Sequence, residues 1–363
     1  MDFPRTVDEI TSEWLTQVLS ESGVVIRANV VSFQSERIGG DTGITGVLNR
    51  IRLEYDSQEP GAPGSVVAKH SPDEASTRTL LKYRNAAELR FYKNIADEVG
   101  IDVPHMYFGE MDEETAECVL LLEDLGHLRA VDQDDDCSTE DALAVLTGIS
   151  GVHARYWSDT PDFERISKYL PKITSSITTE TLNKNIAPFV ELVGESLPDG
   201  IEQLARKLAP KISKVGEMLY ESPVTLSHTD LKITNMFFDD SVGSPPRVTF
   251  YDWQGVRAAK AALDISYFVS ANFSTQTRRK IEHQLLDGYH QSLVDQGVKG
   301  YSLDEFMYDV RVALLFRLPP RICSTAILGK TMMATAEGRA NMSALVERLQ
   351  TLIDWNCDEV IPK

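Results

Sequence analysis

The order of strand-like and helix-like runs between residues 28 and 122 constrains the fold more than any other feature of the chain. Strand-like runs occupy 28–34, 47–55 and 65–70, the last two split by the Pro/Gly loop EPGAPG. A glycine-rich turn, IGGDTGITG (38–46), lies between the first two. Residues 79–99, rich in Leu, Ala, Glu and Arg, read as a helix, and strands follow near 106–109 and 117–122. Strand, strand, strand, helix, strand, strand predicts a mainly antiparallel sheet with one helix packed on it. Ahead of it, Thr6 and Glu9 have capping-box spacing and predict a helix ending near Gly23.

Past Gly126 the signals change. The acidic stretch 132–136 reads as an exposed loop. Ser138 with Asp141 reads as a helix cap, and Leu143, Leu146, Ile149 and His153 recur at helical spacing. The remainder reads mostly as helix, interrupted at 226–254. The expected organisation is therefore 1–125 and 126–363, an α+β chain with a small antiparallel-sheet lobe and a large, mainly helical lobe.

Composition excludes several functions. A net charge of −19 argues against nucleic acid, which needs a basic face to neutralise phosphates, and against an anionic membrane surface. An acidic surface keeps a protein soluble, or attracts a cationic substrate. The four cysteines, Cys118, Cys137, Cys323 and Cys357, form no CxxC pair, so they read as reduced thiols of a cytoplasmic protein. The start has no basic region followed by an apolar one, as a signal peptide would. No stretch reads as approaching the roughly 18 apolar residues of a membrane span.

The chemistry concentrates in HTDLKITN (228–235) and in YDWQ (251–254), which follows the strand-like run 247–251. Phosphoryl transfer accounts for these residue types. Its transition state is loose and highly charged, so catalysis is mainly positioning and electrostatic stabilisation. One carboxylate must orient the attacking hydroxyl and accept its proton, a role that fits Asp230. A magnesium ion takes hard oxygen ligands, which fits Asn235 and Asp252. The apolar run 236–238 would anchor the loop as a hairpin strand.

HTDLKITN resembles the HxDxxxxN catalytic loop of the protein-kinase-like superfamily, and YDWQ its metal-binding Asp-Phe-Gly position. Asp-Trp-Gln, together with HARYW (153–157), is most similar to the ecdysteroid-kinase-like branch, beside aminoglycoside phosphotransferases and choline kinases. Thr229 departs from the Arg of protein kinases. The likeness runs over roughly residues 35–270, with its motifs in the expected order. It implies a two-lobed kinase fold using ATP and Mg²⁺. Lys69, in VVAK, would hold the α- and β-phosphates and pair with Glu88. Gly39, Gly40 and Gly43 would cover the phosphates, and the 122–125 backbone, with Glu123 and Leu125, would face adenine. His228 would brace the loop. Lys232 would steady the transferring phosphate or face solvent. Asp264 would cap a helix beneath the loop, and Trp157 reads as core.

Only eleven residues separate Asp252 from Asp264, and no Ala-Pro-Glu-like motif occurs, so a peptide-docking platform has no room. The expected substrate is a small molecule bearing a hydroxyl. The alternatives are an aminoglycoside or hydroxyacyl-CoA kinase, and, in another class, a nucleotide-binding pseudokinase or scaffold. Arg278-Arg279-Lys280, or Arg317 and Arg321, are candidates for an anionic ligand, weighed against a solvated basic patch.

Overall fold

The computed structural model describes residues 3–39, 46–132, 136–171 and 177–363, and for 330, 332, 336 and 337 the backbone alone. The chain divides into two compact units. Met1–Arg129 group with Thr249–Gly255, and Ala130–Val248 group with Val256–Lys363.

The first unit contains α1 (Ser12–Glu21), β1 (Val30–Ile38), β2 (Val47–Tyr55), β3 (Ser65–His70), α2 (Ala75–Asn94), β4 (Met106–Met111) and β5 (Cys118–Glu123). The strands form one antiparallel sheet of order β1-β2-β3-β5-β4. Side chains alternate across β3, so Val66 and Ala68 are buried in the core while Lys69 falls on the other face. Leu15, Val18 and Leu19 of α1 join Ile51, Leu53, Val66, Ala68 and Leu121 in one apolar cluster. Residues 249–255 return to this unit through a parallel bridge between Thr249 and Asp102 and a bond from Phe250 N–H to Asp102 O of 2.9 Å.

The second unit begins after β6 (Arg129–Ala130). It contains α3 (Thr139–Arg155), α4 (Pro161–Ser167), α5 (Thr179–Val193), α6 (Ile201–Leu208), α7 (Ile212–Met218), β7 (Thr225–Ser227) and β8 (Met236–Asp239). Strand β9 (Arg247–Phe250) is followed by β10 (Arg257–Ala259), α8 (Ala262–Ala271), α9 (Thr275–Asp295), α10 (Leu303–Met332) and α11 (Ala336–Asp354). Helix α10 packs against α5, α7, α8 and α11, and β10 pairs antiparallel with β7. The Ser138 hydroxyl caps α3 by accepting from the Asp141 N–H, as its spacing predicts.

Several expectations need correction. Thr6 makes no capping bond and precedes only a 3-10 turn, Val7–Glu9. The Glu9 carboxylate accepts from the Arg5 N–H instead, at 2.8 Å, and Ile10 is extended, which ends the turn. Helix α1 starts under Thr11, whose hydroxyl accepts from the Trp14 N–H. The helix expected at 79–99 starts earlier and stops at Asn94, with a 3-10 turn at Ala96–Glu98. One helical stretch, Leu303–Gly329, is long and apolar enough to cross a membrane, against expectation; 56% of its apolar window is buried in the protein. Its apolar residues pack on neighbouring helices, as in a core helix.

Candidate active site

Within the first unit, Lys69 Nζ lies 2.8 Å from Glu88 Oε2 and 3.0 Å from Asp252 Oδ1. The sequence expectation that Lys69 pairs with Glu88 is met in geometry. Burial works against the Lys69 ammonium, but Asp252 and Glu88 outweigh it and hold its pKa above the ordinary lysine value. Burial pushes the Glu88 carboxyl up, and Lys69 offsets part of that. The pair therefore contains a lysine that stays protonated.

Neighbouring residues fix this group. Asp252 has φ +61, a left-handed conformation sparsely populated by residues other than glycine. After it, the Trp253 ring stacks on Phe91 of α2, with centroids 4.0 Å apart and an interplanar angle of 8°. Gln254 Nε2 donates to Asn85 Oδ1 at 3.0 Å. Both residues that replace Phe-Gly thus tie Asp252 to the helix that carries Glu88. At Gly46 the backbone runs so close to β3 that a Cβ would sit 2.9 Å from His70 O and 3.6 Å from the Lys69 stem.

Of the glycines expected to cover phosphates, Gly39 ends β1 with φ +80, while Gly40 and Gly43 lie outside the described residues. The Glu123 N–H already donates to His105 O at 2.8 Å, so that donor is spent. The Leu125 N–H has no partner among the described residues. Between them, Asp124 is held by Arg50 at 2.7 Å and by the Ser65 hydroxyl at 2.6 Å.

Within the second unit, residues 228–235 form a braced loop between β7 and β8. Asn235 Nδ2 donates to Asp230 O at 2.9 Å and to Asp230 Oδ2 at 3.1 Å. The amide nitrogen thus faces the aspartate. Lys232 Nζ is 3.9 Å from Asp230 Oδ2, with side chains 34% and 38% exposed. His228 is buried, and its Nδ1 accepts from the Asp230 N–H at 3.3 Å, so it braces the loop.

Asp264 does something other than the helix capping expected of it. From the first turn of α8, its carboxylate accepts the N–H groups of His228 (2.8 Å) and Thr229 (2.5 Å), and it meets His153 Nε2 at 3.1 Å. His153 Nδ1 in turn meets the Tyr289 hydroxyl at 2.6 Å. Thr229 has φ +67, a strained state for a β-branched residue, which persists only where its surroundings over-determine it. They do so here on both sides, since Arg317 Nη2 donates to Thr229 O at 2.8 Å. Arg317 and Asn272, whose Oδ1 accepts from the Ile233 N–H at 2.8 Å, are braces that the sequence did not assign. Trp157 is buried, as expected.

Arg278-Arg279-Lys280 is neither a solvated patch nor an anion site as a whole. Arg278 is 1% exposed and paired with Glu282 and Asp354, and Arg279 pairs with Asp354 at 2.7 Å.

The sequence profile of the ecdysteroid kinase-like family matches residues 41–299. No curated protein sequence matches the chain. Among solved structures it is similar to an ethanolamine kinase from Plasmodium vivax, at 11% identity and a TM-score of 0.55, covering 96% of this chain and 92% of that one. It is similar to an aminoglycoside phosphotransferase in complex with GDP and kanamycin, at 15% identity and a TM-score of 0.51, covering 93% and 98%. A choline kinase from Cryptosporidium parvum gives 9% identity, a TM-score of 0.50 and 89% coverage of each chain. Likeness at these identities is likeness of fold, and it bears out the α+β, protein-kinase-like class read from the sequence.

Proposed function

The chain belongs to the ecdysteroid kinase-like family, and on that footing we propose that it transfers the γ-phosphoryl group of ATP to the hydroxyl of a small molecule. The observation that carries this reading is Lys69, buried between Glu88 and Asp252. A buried ion pair contributes little net stability, whereas a lysine oriented by a helix glutamate is what the kinase template uses on nucleotide phosphates.

In this reading the first unit binds nucleotide and the second supplies catalysis and acceptor binding. Lys69 contacts the α- and β-phosphates, and the Leu125 N–H faces adenine. Asp230, oriented by Asn235, positions the acceptor hydroxyl and takes its proton. The acceptor oxygen bonds to the γ-phosphorus as the bond from that phosphorus to the β–γ bridging oxygen breaks, and ADP leaves. The donor chemistry suits Mg²⁺, since Asn235 turns its nitrogen to Asp230 and keeps a carbonyl, and Asp252 offers a carboxylate. Asn235 and Asp252 are each candidate oxygen ligands of the ion, which would neutralise phosphate charge.

The test is thermal stabilisation by ATP with and without Mg²⁺, on wild type and Asp252→Ala. Saturation at 100 times Kd stabilises by about 2.7 kcal/mol. A Mg²⁺-dependent rise that the variant loses supports the reading. No shift in either protein would leave a scaffold that binds no nucleotide.

A further inference from the structure

Three arginines of the second unit converge on one ring. Arg317 and Arg321 stand four residues apart on α10, and so share a face; Arg348 comes from α11. Their guanidinium carbons lie 4.1, 5.3 and 5.8 Å from the centroid of the Tyr267 ring, which is 7% exposed on α8. Each stack is attractive alone, but three like charges around one ring repel.

Two other arginines of this unit are paired with carboxylates: Arg278 with Glu282 and Asp354, and Arg311, whose Nε is nevertheless buried without a partner, with Glu359. Among the described residues no carboxylate forms an ion pair with Arg317, Arg321 or Arg348, in a chain with 55 acidic residues. Arg317 spends Nη2 on Thr229 O and Leu263 O, yet its Nε is buried without a partner, as is Nε of Arg348. The guanidinium groups of Arg321 and Arg348 donate to no described residue. Burial, reinforced by the charge of Arg321, pulls Arg317 down to about 10 and Arg348 in the same direction. Buried unsatisfied donors are costly, and an oxyanion that accepts two parallel N–H bonds is the complement that planar arginine forks match best. The position is also specific. Arg317 holds the carbonyl of Thr229, the residue before Asp230, and the Asp230 charge is felt at both Arg317 and Arg348.

We propose that the Arg321–Arg348 pair, backed by Arg317 and Tyr267, binds an oxyanion of the acceptor, so that the substrate is an anionic alcohol whose hydroxyl lies at Asp230. The substrate half of this proposal rests on the phosphotransfer reading above; the anion site does not. It reverses the charge preference implied by similarity to kinases named for ethanolamine and choline, both cations. A carboxylate and a phosphate monoester share the required chemistry.

Two measurements separate the proposal from the phosphotransfer reading. The first is thermal stabilisation of the nucleotide-free chain by 4-hydroxybutyrate, glycerol 3-phosphate, 1,4-butanediol and ethanolamine. The second is ATP consumption with the same four compounds and Mg²⁺. The expected result is stabilisation and turnover with the anions alone, the larger response naming carboxylate or phosphate. Arg321→Gln and Arg348→Gln should each raise KM at least tenfold with kcat within threefold, while the lysine variants fall between and ATP–Mg²⁺ stabilisation is unchanged. Anion stabilisation lost in both glutamine variants, without ATP consumption, would support the site and sink the phosphotransfer reading. No stabilisation by either anion, stabilisation that survives both substitutions, or preference for the diol or amine would overturn the proposal.

Discussion

Glu88 Oε2 lies 2.8 Å from Lys69 Nζ, with the glutamate side chain 2% and the lysine 12% exposed. Removing one partner of a buried pair leaves an uncompensated charge, at a typical cost of 3–5 kcal/mol. Asp252 remains beside Lys69, so Glu88→Ala should fall at the lower end, about 3 kcal/mol, read as a lower midpoint in urea with an unchanged slope. The double variant Lys69→Met/Glu88→Leu removes both charges and should recover most of that loss. It should nevertheless lose stabilisation by ATP. If the double variant is as unstable as Glu88→Ala, the pair is structural.

Asp264, fully buried, accepts two loop N–H groups and meets His153. Burial would raise its carboxyl, but the bond to His153 and the bonded amides outweigh burial and hold it below the usual carboxylate range. The sign follows from linkage. A carboxyl with a lower pKa folded than unfolded contributes stability that is complete above its unfolded value, near pH 4, and is lost as pH falls through the folded value. Asp264→Asn should therefore be less stable than wild type at pH 7, by about 3 kcal/mol, with the gap closing below pH 4. Urea midpoints at pH 7, 5 and 3 measure this, and a gap constant to pH 3 refutes it.

What the sequence discloses here depends on separation along the chain. The sheet was legible because its strands follow one another with short connections. Asp230 and Asn235 were legible because one eight-residue stretch holds both. Lys69 and Glu88, nineteen positions apart, came together only through family resemblance. The bonds from Arg317 to Thr229 O and from the Ile233 N–H to Asn272 Oδ1 join distant segments of chain whose local patterns are ordinary helix and loop. The Thr6–Glu9 spacing misled because Glu9 had a nearer donor in Arg5. Arg278 read as part of a solvated triplet because one partner, Asp354, lies 76 positions away, and its local partner Glu282 at i+4 is the kind of pair an exposed helix face also carries.

Trp253 is fully buried against Phe91, with its ring N–H donating to Phe250 O at 3.2 Å. Truncating a buried tryptophan costs roughly 3–5 kcal/mol, so Trp253→Ala should unfold at markedly lower denaturant. Trp253→Phe keeps the stack, loses the hydrogen bond and some volume, and should cost about 1–2 kcal/mol. Because the ring follows Asp252 directly, the phenylalanine variant should keep Mg²⁺-dependent ATP stabilisation while the alanine variant weakens it. Equal nucleotide responses would mean that the stack does not position Asp252.

Asp230 separates binding from chemistry most cleanly. Its side chain is part-exposed, its backbone is fixed by the side-chain amide of Asn235 and by His228 Nδ1, and the asparagine variant keeps an oxygen to accept from Asn235 Nδ2. Asp230→Asn should therefore leave unfolding within about 0.5 kcal/mol of wild type, the range of ordinary surface changes. An amide cannot take the acceptor proton, and a positioned base is worth about 10²–10⁴-fold. The variant should lose that factor in kcat and keep its ATP–Mg²⁺ stabilisation, which in the proposed reading rests on Lys69, Asn235 and Asp252. Lys232→Met, 3.9 Å from the same carboxylate, gives the comparison. A kcat loss under Lys232→Met as large as that under Asp230→Asn would shift the chemical burden to charge stabilisation of the transferring phosphoryl group. A small loss would leave proton acceptance at Asp230 as the dominant contribution.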